Sequence, residues 1–243
     1  MKTEIIAEIG ANWEGSIPKA QKIIQECKNA GATAVKFQMW RADDLYPNHP
    51  EYKLIKKSEL TFIKAEKLKK FADKIGIEFF CSVFFPEAID FLESLKVKRY
   101  KIASRTCLFE DPFSLETLKR LSQVKKPVII SMGMGGDKKY IKKIFSKNKI
   151  IFCYCISEYP LDFKKIKWNE INTFNGFSDH TLGITAPIVF AILKKLKNSN
   201  QILIEKHVKL KNSKGPDAST SITTNELKEM ISNINEFKNI KLV

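Results

Sequence analysis

The chain has 243 residues, 44% of them hydrophobic, and a formal net charge of +15. That length and apolar content suffice for one large packed domain. They exclude a helical membrane span, since no apolar run reaches the roughly 18 residues it needs.

The opening stretch MKTEIIAEIGANWEG carries acidic residues inside its apolar part and has no signal-peptide layout, so a soluble cytoplasmic protein is expected. Lysines are scattered through KLKKFADK, KKYIKKIF and KKLK, on what should be outer helix faces. They read as a solvated basic surface. No platform of interleaved aromatic and basic residues occurs, so nucleic acid is not an expected partner, and neither is a membrane. The five cysteines are an odd number lying in apolar runs, which reads as reduced, buried thiols. Cys153 and Cys155 fall on one face of a strand by alternation, where core packing is the simplest role.

In chain order, strand-like runs alternate with amphipathic helical stretches. A strand over residues 4–12 precedes a helix over about 18–30, with Ser16 as cap and Pro18 in the first turn. A strand over 33–40 leads through a longer loop to a helix over 59–75, ended by Gly76. Strand 78–84 precedes helix 86–95, and strand 99–104 precedes a helix starting near Pro112. Strand 127–133 is followed by helix 137–147, and strand 150–157 by a poor, short helix around 163–171. Strand 174–180 is followed by helix 184–197, and strand 202–208 by helix 223–238. Eight β-then-α units in this length predict a closed (β/α)8 TIM barrel, one domain over residues 1–243.

In such barrels chemistry sits at the C-terminal strand ends, and the unusual polar residues fall there. Strand one ends in Asn12 and Glu14, and strand two carries Lys36 and Gln38 on one face. Later strands contribute Ser82, then Lys101, Ser104 and Arg105, then Ser131, then Ser157, Glu158 and Tyr159. Strand seven gives Ser178, Asp179 and His180; strand eight gives Glu205 and His207, followed by Asp217. Singly, each has a bland role: a lysine snorkels, a serine fills space, a histidine hydrogen-bonds in a core. Jointly they suggest more. Two lysines inside a barrel are costly unless an anion or carboxylate meets them, and histidines on adjacent strand ends can share a divalent metal. An anionic, phosphorylated substrate beside a metal is the expectation.

AEIGANWEGS, AVKFQ, YKIAS, VIISMGM, EYP, GFSDHTLG, IEKHV and GPDAS occur in that order. Together they resemble the N-acetylneuraminate synthase family, which includes synthases of sialic, legionaminic and pseudaminic acids. The resemblance covers about residues 4–238. It implies condensation of phosphoenolpyruvate with an open-chain amino-sugar aldehyde to a 2-keto sugar acid. It also implies a divalent metal, Mn2+ or Mg2+, on His180 and His207. Lys36, Lys101, Ser104, Ser131 and Ser178 match positions around phosphoenolpyruvate. Glu14 matches a carboxylate near the reacting carbons, expected to handle a proton or to orient a metal-bound water, and Gln38, Tyr159 and Asp217 match contacts to the sugar's hydroxyls.

The chain also departs from the family pattern. Trp13 replaces a histidine, Val83 a threonine, Ser157 an asparagine and Thr106 a glutamate, while Arg105 adds a cation suited to a phosphate or carboxylate. The family usually continues into a small antifreeze-like domain after the eighth helix, so the expected partner is a second copy or a separate chain supplying that domain. Two other readings follow. The chain is a binding or partner subunit without catalysis, or it is an aldolase forming a Schiff base on Lys101 or Lys36.

Overall fold

The computed structural model describes residues 1–240. Its elements run β1 (Lys2–Glu8), α1 (Ile17–Ala30), β2 (Ala34–Met39), α2 (Ala42–Leu45), α3 (Tyr52–Lys57), α4 (Phe62–Ile75) and β3 (Glu78–Val83). They continue as α5 (Pro86–Ser94), β4 (Tyr100–Ile102), α6 (Ser114–Ser122), β5 (Val128–Ser131), α7 (Lys138–Ile144) and β6 (Ile150–Cys155). The last are α8 (Trp168–Ile171), β7 (Gly176–Asp179), α9 (Thr185–Leu196), β8 (Gln201–Lys209), β9 (Ile222–Thr223) and α10 (Thr224–Asn239).

Strands β1 to β8 pair in sequence order, all parallel, and β1 closes on β8 from Lys2 beside Gln201 to Glu8 beside His207. The expected (β/α)8 barrel is therefore observed. Helix ends follow local rules. Ser16 accepts from Lys19 N at the start of α1, and Gly76 ends α4 at φ 73°. Several expected bounds differ from the observed ones. β1 stops at Glu8 rather than at residue 12, because Gly10 turns the chain at φ +51°, where a Cβ would overlap the Asp217 carboxylate. The loop after β2 holds the short helices α2 and α3. Phe113 at φ 65° delays α6 to Ser114. The weak helix after β6 splits into a single 3-10 turn at Phe163–Lys165 and α8.

Alternation sorts the strand side chains into two faces. One apolar cluster packs the outer strand faces against the helices, with Phe37, Phe79, Ile102, Phe177 and Ile204 among its members. A separate small cluster of Ile6, Ala34, Phe80, Ile129, Cys153 and Leu203 fills the barrel's middle. Stepping two residues along each strand carries the inner face from this apolar plug into charge at either end: Glu4, Glu78 and Arg99 below, Glu8, Lys36, Lys101 and Glu205 above.

Candidate active site

The upper layer is a ring of neighbours fixed by strand register. Glu8 lies beside Lys36, Ser82 beside Lys101, and Ser178 beside Glu205. Lys36 is ion-paired with Glu8, donates to Ser82 Oγ at 2.9 Å and lies 3.6 Å from Glu205. Lys101 donates to Ser131 Oγ at 2.7 Å, Ser178 Oγ at 2.9 Å and Glu205 Oε1 at 2.9 Å. The two inward lysines are thus met by two carboxylates of the barrel itself, which resolves the cost of burying them.

The pairing sets the protonation. Burial opposes charge on Lys101, but Glu205 outweighs it and the lysine's pKa is raised. Burial likewise opposes charge on Glu205, yet the two lysines hold its pKa well below the carboxylate range. Glu8 goes the other way. Burial and the neighbouring Glu205 charge overcome the pull of Lys36 and push it up to about 7.

Above this ring stand His180 and His207, ring centroids 5.7 Å apart. His180 Nδ1 lies 2.8 Å from the Ile156 carbonyl, to which it donates, leaving Nε2 as the ring's lone-pair nitrogen. Burial and His207 lower its pKa to about 4. Burial and Lys36 lower that of His207 to about 3. Both rings are neutral at ordinary pH, as ligand imidazoles must be. His207 Nδ1 is buried without a hydrogen-bond partner, and so are Ser157 Oγ and Glu205 Oε2. Among the described residues no group of three or more His, Cys, Asp or Glu is arranged to hold a metal. The chain's own set is therefore two imidazoles, one oriented by a backbone carbonyl and one with an orphaned nitrogen. That set fits a divalent ion completed by water and substrate oxygens.

Alternation answers why FSDHT places so many polar groups in succession. Ser178 and His180 face inward. Asp179 faces outward, where Lys206 donates to it at 2.6 Å with both side chains wholly buried. Asp179 also accepts from Thr181 N at 2.9 Å and Thr181 Oγ1 at 3.1 Å. Lys206 and Asp179 thus lock the ends of β7 and β8, from which the two histidines project.

A cavity of about 390 Å³ opens above the histidines, lined by Gln38, Ser104, Arg105, Tyr159, His207 and Asp217 among others. Gln38 Nε2 donates to Glu8 Oε1 at 3.1 Å. Ser104 Oγ accepts from Gly133 N at 2.9 Å. The Tyr159 ring packs on His180 at a tilt of 38°, with centroids 4.1 Å apart. Asp217 accepts from Ala11 N at 2.8 Å and approaches His207 Nδ1 at 3.9 Å.

Four residues singled out in the sequence stand differently from expectation. Glu14 does not line this cavity. Its carboxylate accepts from Lys19 Nζ at 2.6 Å and Lys214 N at 2.8 Å, and these contacts outweigh burial and lower its pKa. The carboxylates beside the lysines are Glu8 and Glu205. Trp13 is also turned away, wholly buried edge-on against Phe37 with centroids 6.2 Å apart. Arg105 does reach the cavity, but its Nε and Nη2 are both held by Asp111 at 2.6 Å. Cys155, expected only to pack, lies 3.7 Å from Ser104 Oγ and 4.0 Å from His180 Nδ1.

Fold and site together define a parallel (β/α)8 protein whose C-terminal mouth holds paired lysines, serines and two neutral imidazoles. Residues 23–241 match the NeuB family, and the chain belongs to that family. It is 37% identical, over 96% of its length and 70% of the relative's, to an uncharacterized protein of Methanocaldococcus jannaschii. It is 30% identical to the N,N'-diacetyllegionaminic acid synthase of Legionella pneumophila, over 97% of this chain and 72% of that one. The crystal structure of N-acetylneuraminic acid (sialic acid) synthetase from Leptospira borgpetersenii, in complex with citrate, superposes with a TM-score of 0.88. It shares 26% identity and covers 98% of this chain and 84% of that chain.

Proposed function

We propose that this barrel condenses phosphoenolpyruvate with an amino-sugar aldehyde to a 2-keto sugar acid, releasing phosphate, with a divalent metal, Mn2+ or Mg2+, on His180 and His207. The observation that carries this reading is the layered mouth: two buried lysines amid serine hydroxyls, directly beneath two neutral imidazoles. In the reaction C3 of phosphoenolpyruvate bonds to the aldehyde carbon, water adds to C2, and phosphate leaves with its C2–O bond.

Lys36, Lys101, Ser131 and Ser178, with Ser104 nearer the rim, hold the phosphate and carboxylate. Point charges and hydroxyls suit both groups. Entry of this anion draws the lysines from Glu8 and Glu205, so each ammonium exchanges a barrel carboxylate for the substrate's phosphate or carboxylate. The metal, when bound, supplies Lewis-acid polarisation of the aldehyde oxygen. Gln38, Tyr159 and Asp217 orient the sugar's hydroxyls. We assign to Glu8 the proton-handling role expected of Glu14. A carboxyl pushed up to about 7 can take and return a proton near neutral pH, whereas Glu14 is committed to Lys19.

A Schiff-base aldolase is disfavoured, because it needs a neutral lysine and Lys101 has a raised pKa. Among the described residues no helix is long and apolar enough to cross a membrane.

The test is phosphate release from phosphoenolpyruvate with Mn2+ and a panel of N-acetylated and other aldoses, with and without EDTA. Acceptor-dependent release abolished by EDTA is the expected result. Trapping of pyruvate by borohydride would instead establish the lysine mechanism. Absence of both, in a folded protein, would favour a binding or partner subunit.

A further inference from the structure

We infer that the acceptor subsite selects an uncharged aldose over its phosphorylated form, and that Asp111 sets this choice by neutralising Arg105. The inference rests on the proposed reaction and names its acceptor class.

Arg105 is the single cation among the described residues lining the cavity. Its fork is already filled: Nε and Nη2 both donate to Asp111, and the guanidinium carbon stands 5.2 Å from the Tyr46 ring centroid. Asp111 lies behind it and does not line the cavity. What faces the substrate is therefore an ion pair with no net charge, from which Nη1 is the nitrogen not held by Asp111.

The rest of the lining has the same character. Gln38, Ser104, Ser157 and Thr220 offer uncharged donors and acceptors, and Asp217 is a carboxyl group. Lys36 and Lys101 sit in the layer below, engaged with Glu8 and Glu205.

Away from the metal position on His180 and His207, which the aldehyde oxygen takes up, a phosphate monoester leaving water for this cavity would meet no unpaired cation and one carboxyl group. That is a heavy desolvation penalty without compensation. A polyhydroxylated aldose with an acylamino group makes the opposite demand. Its hydroxyls and amide need many uncharged partners, and the volume of about 390 Å³ falls in the range of small-molecule sites. The expectation that Arg105 binds a phosphate or carboxylate is thereby revised: its carboxylate is Asp111.

The test compares kcat/KM for N-acetylmannosamine and its 6-phosphate, with Mn2+ and phosphoenolpyruvate, reading released phosphate. Wild-type protein is expected to favour the uncharged sugar by about tenfold or more. Asp111→Asn, which frees the Arg105 charge, should move the ratio about tenfold toward the phosphorylated sugar. Asp111→Glu keeps the pair and should keep the wild-type ratio. Adding Arg105→Ala to Asp111→Asn should cancel the shift. A wild-type preference for the phosphorylated sugar overturns the inference, and needs no variant to fold. Equal ratios in Asp111→Asn and Asp111→Glu overturn it as well. Should neither sugar support phosphate release, the proposed reaction fails. The same ratio is then read from the two sugars' dissociation constants by calorimetry, with the same expected and overturning values.

Discussion

At the lower end of the barrel Arg99 donates to Glu78 through Nε at 2.9 Å and Nη2 at 3.2 Å, and to Glu4 through Nη1. Gln201 takes the other Glu4 oxygen at 2.8 Å, and Arg99 lies 5.0 Å over the Phe80 ring. Each carboxylate oxygen there has a partner. At the upper end, four residues on along β1 and β8 from Glu4 and Gln201, Glu8 has a raised pKa and Glu205 Oε2 lacks a hydrogen bond, as does His207 Nδ1. Both layers bury charge on the same apolar plug. The lower one is internally complete, and the upper one is left waiting for partners. Charge that satisfies itself is a structural staple. Charge with orphaned atoms beside neutral imidazoles is a place prepared for something else.

His207→Ala breaks the upper layer most directly. It should lower kcat/KM for phosphate release about 10³-fold and abolish tight Mn2+ binding by calorimetry. The melting temperature should scarcely move, because the ring lies at the rim above the apolar plug. Retained Mn2+ binding would remove His207 from the metal site.

Arg99→Met breaks the lower layer. It strands Glu4 and Glu78 near an apolar plug and should cost about 3 kcal/mol in denaturant unfolding. At a temperature where the variant stays folded, kcat/KM should remain within about twofold of wild type, since active-site groups lie at the other end. A large kinetic loss would mean that the two ends are coupled.

Glu8→Gln sharpens the comparison within the upper layer. A folded-state pKa near 7 against 4.5 for a free carboxyl means that the native state binds this proton more tightly. The stability it contributes is full below about pH 4.5 and is lost as pH rises through 7. Wild type should therefore lose about 1–3 kcal/mol more than the glutamine variant between pH 5 and pH 8. The variant's kcat should fall about 10²-fold with no limb near pH 7. Parallel stability profiles would show Glu8 to be a permanent carboxylate partner of Lys36.

The barrel itself was legible from sequence because periodicity is local: eight strand–helix alternations, Ser16 and Gly76 are all readable in short windows. The inward lysines and histidines were legible for the same reason. What escaped depended on where a strand stops and on what another strand brings beside it. The run EIIAEIGAN stays apolar past Gly10, so β1 was expected four residues too long, and its last carboxylate was sought at Glu14. Counting by twos from Glu4 to Glu8, and aligning Glu8 with Lys36 across the β1–β2 ladder, is the signal that would have pointed to the carboxylate beside that lysine. Glu205 was visible at the end of its strand, but its role came from Lys101, 104 positions away. The Arg105–Asp111 pair needed a loop path that no pattern encodes.

Glu14→Gln is the smallest expected effect, and it separates these two views of the first strand. Glu14 sits on the turn after β1 at φ 54°, with its carboxylate bridging Lys19 and the Lys214 amide. Glutamine keeps an oxygen for both donors and removes only a partly exposed ion pair. The loss of stability should be below about 1 kcal/mol, and kcat/KM and its pH profile should stay within about twofold of wild type. A proton-handling carboxylate cannot be so replaced: if Glu14 had that role, the same variant would lose about 10²-fold in kcat. The two amide variants, measured side by side across pH, therefore decide which glutamate faces the chemistry.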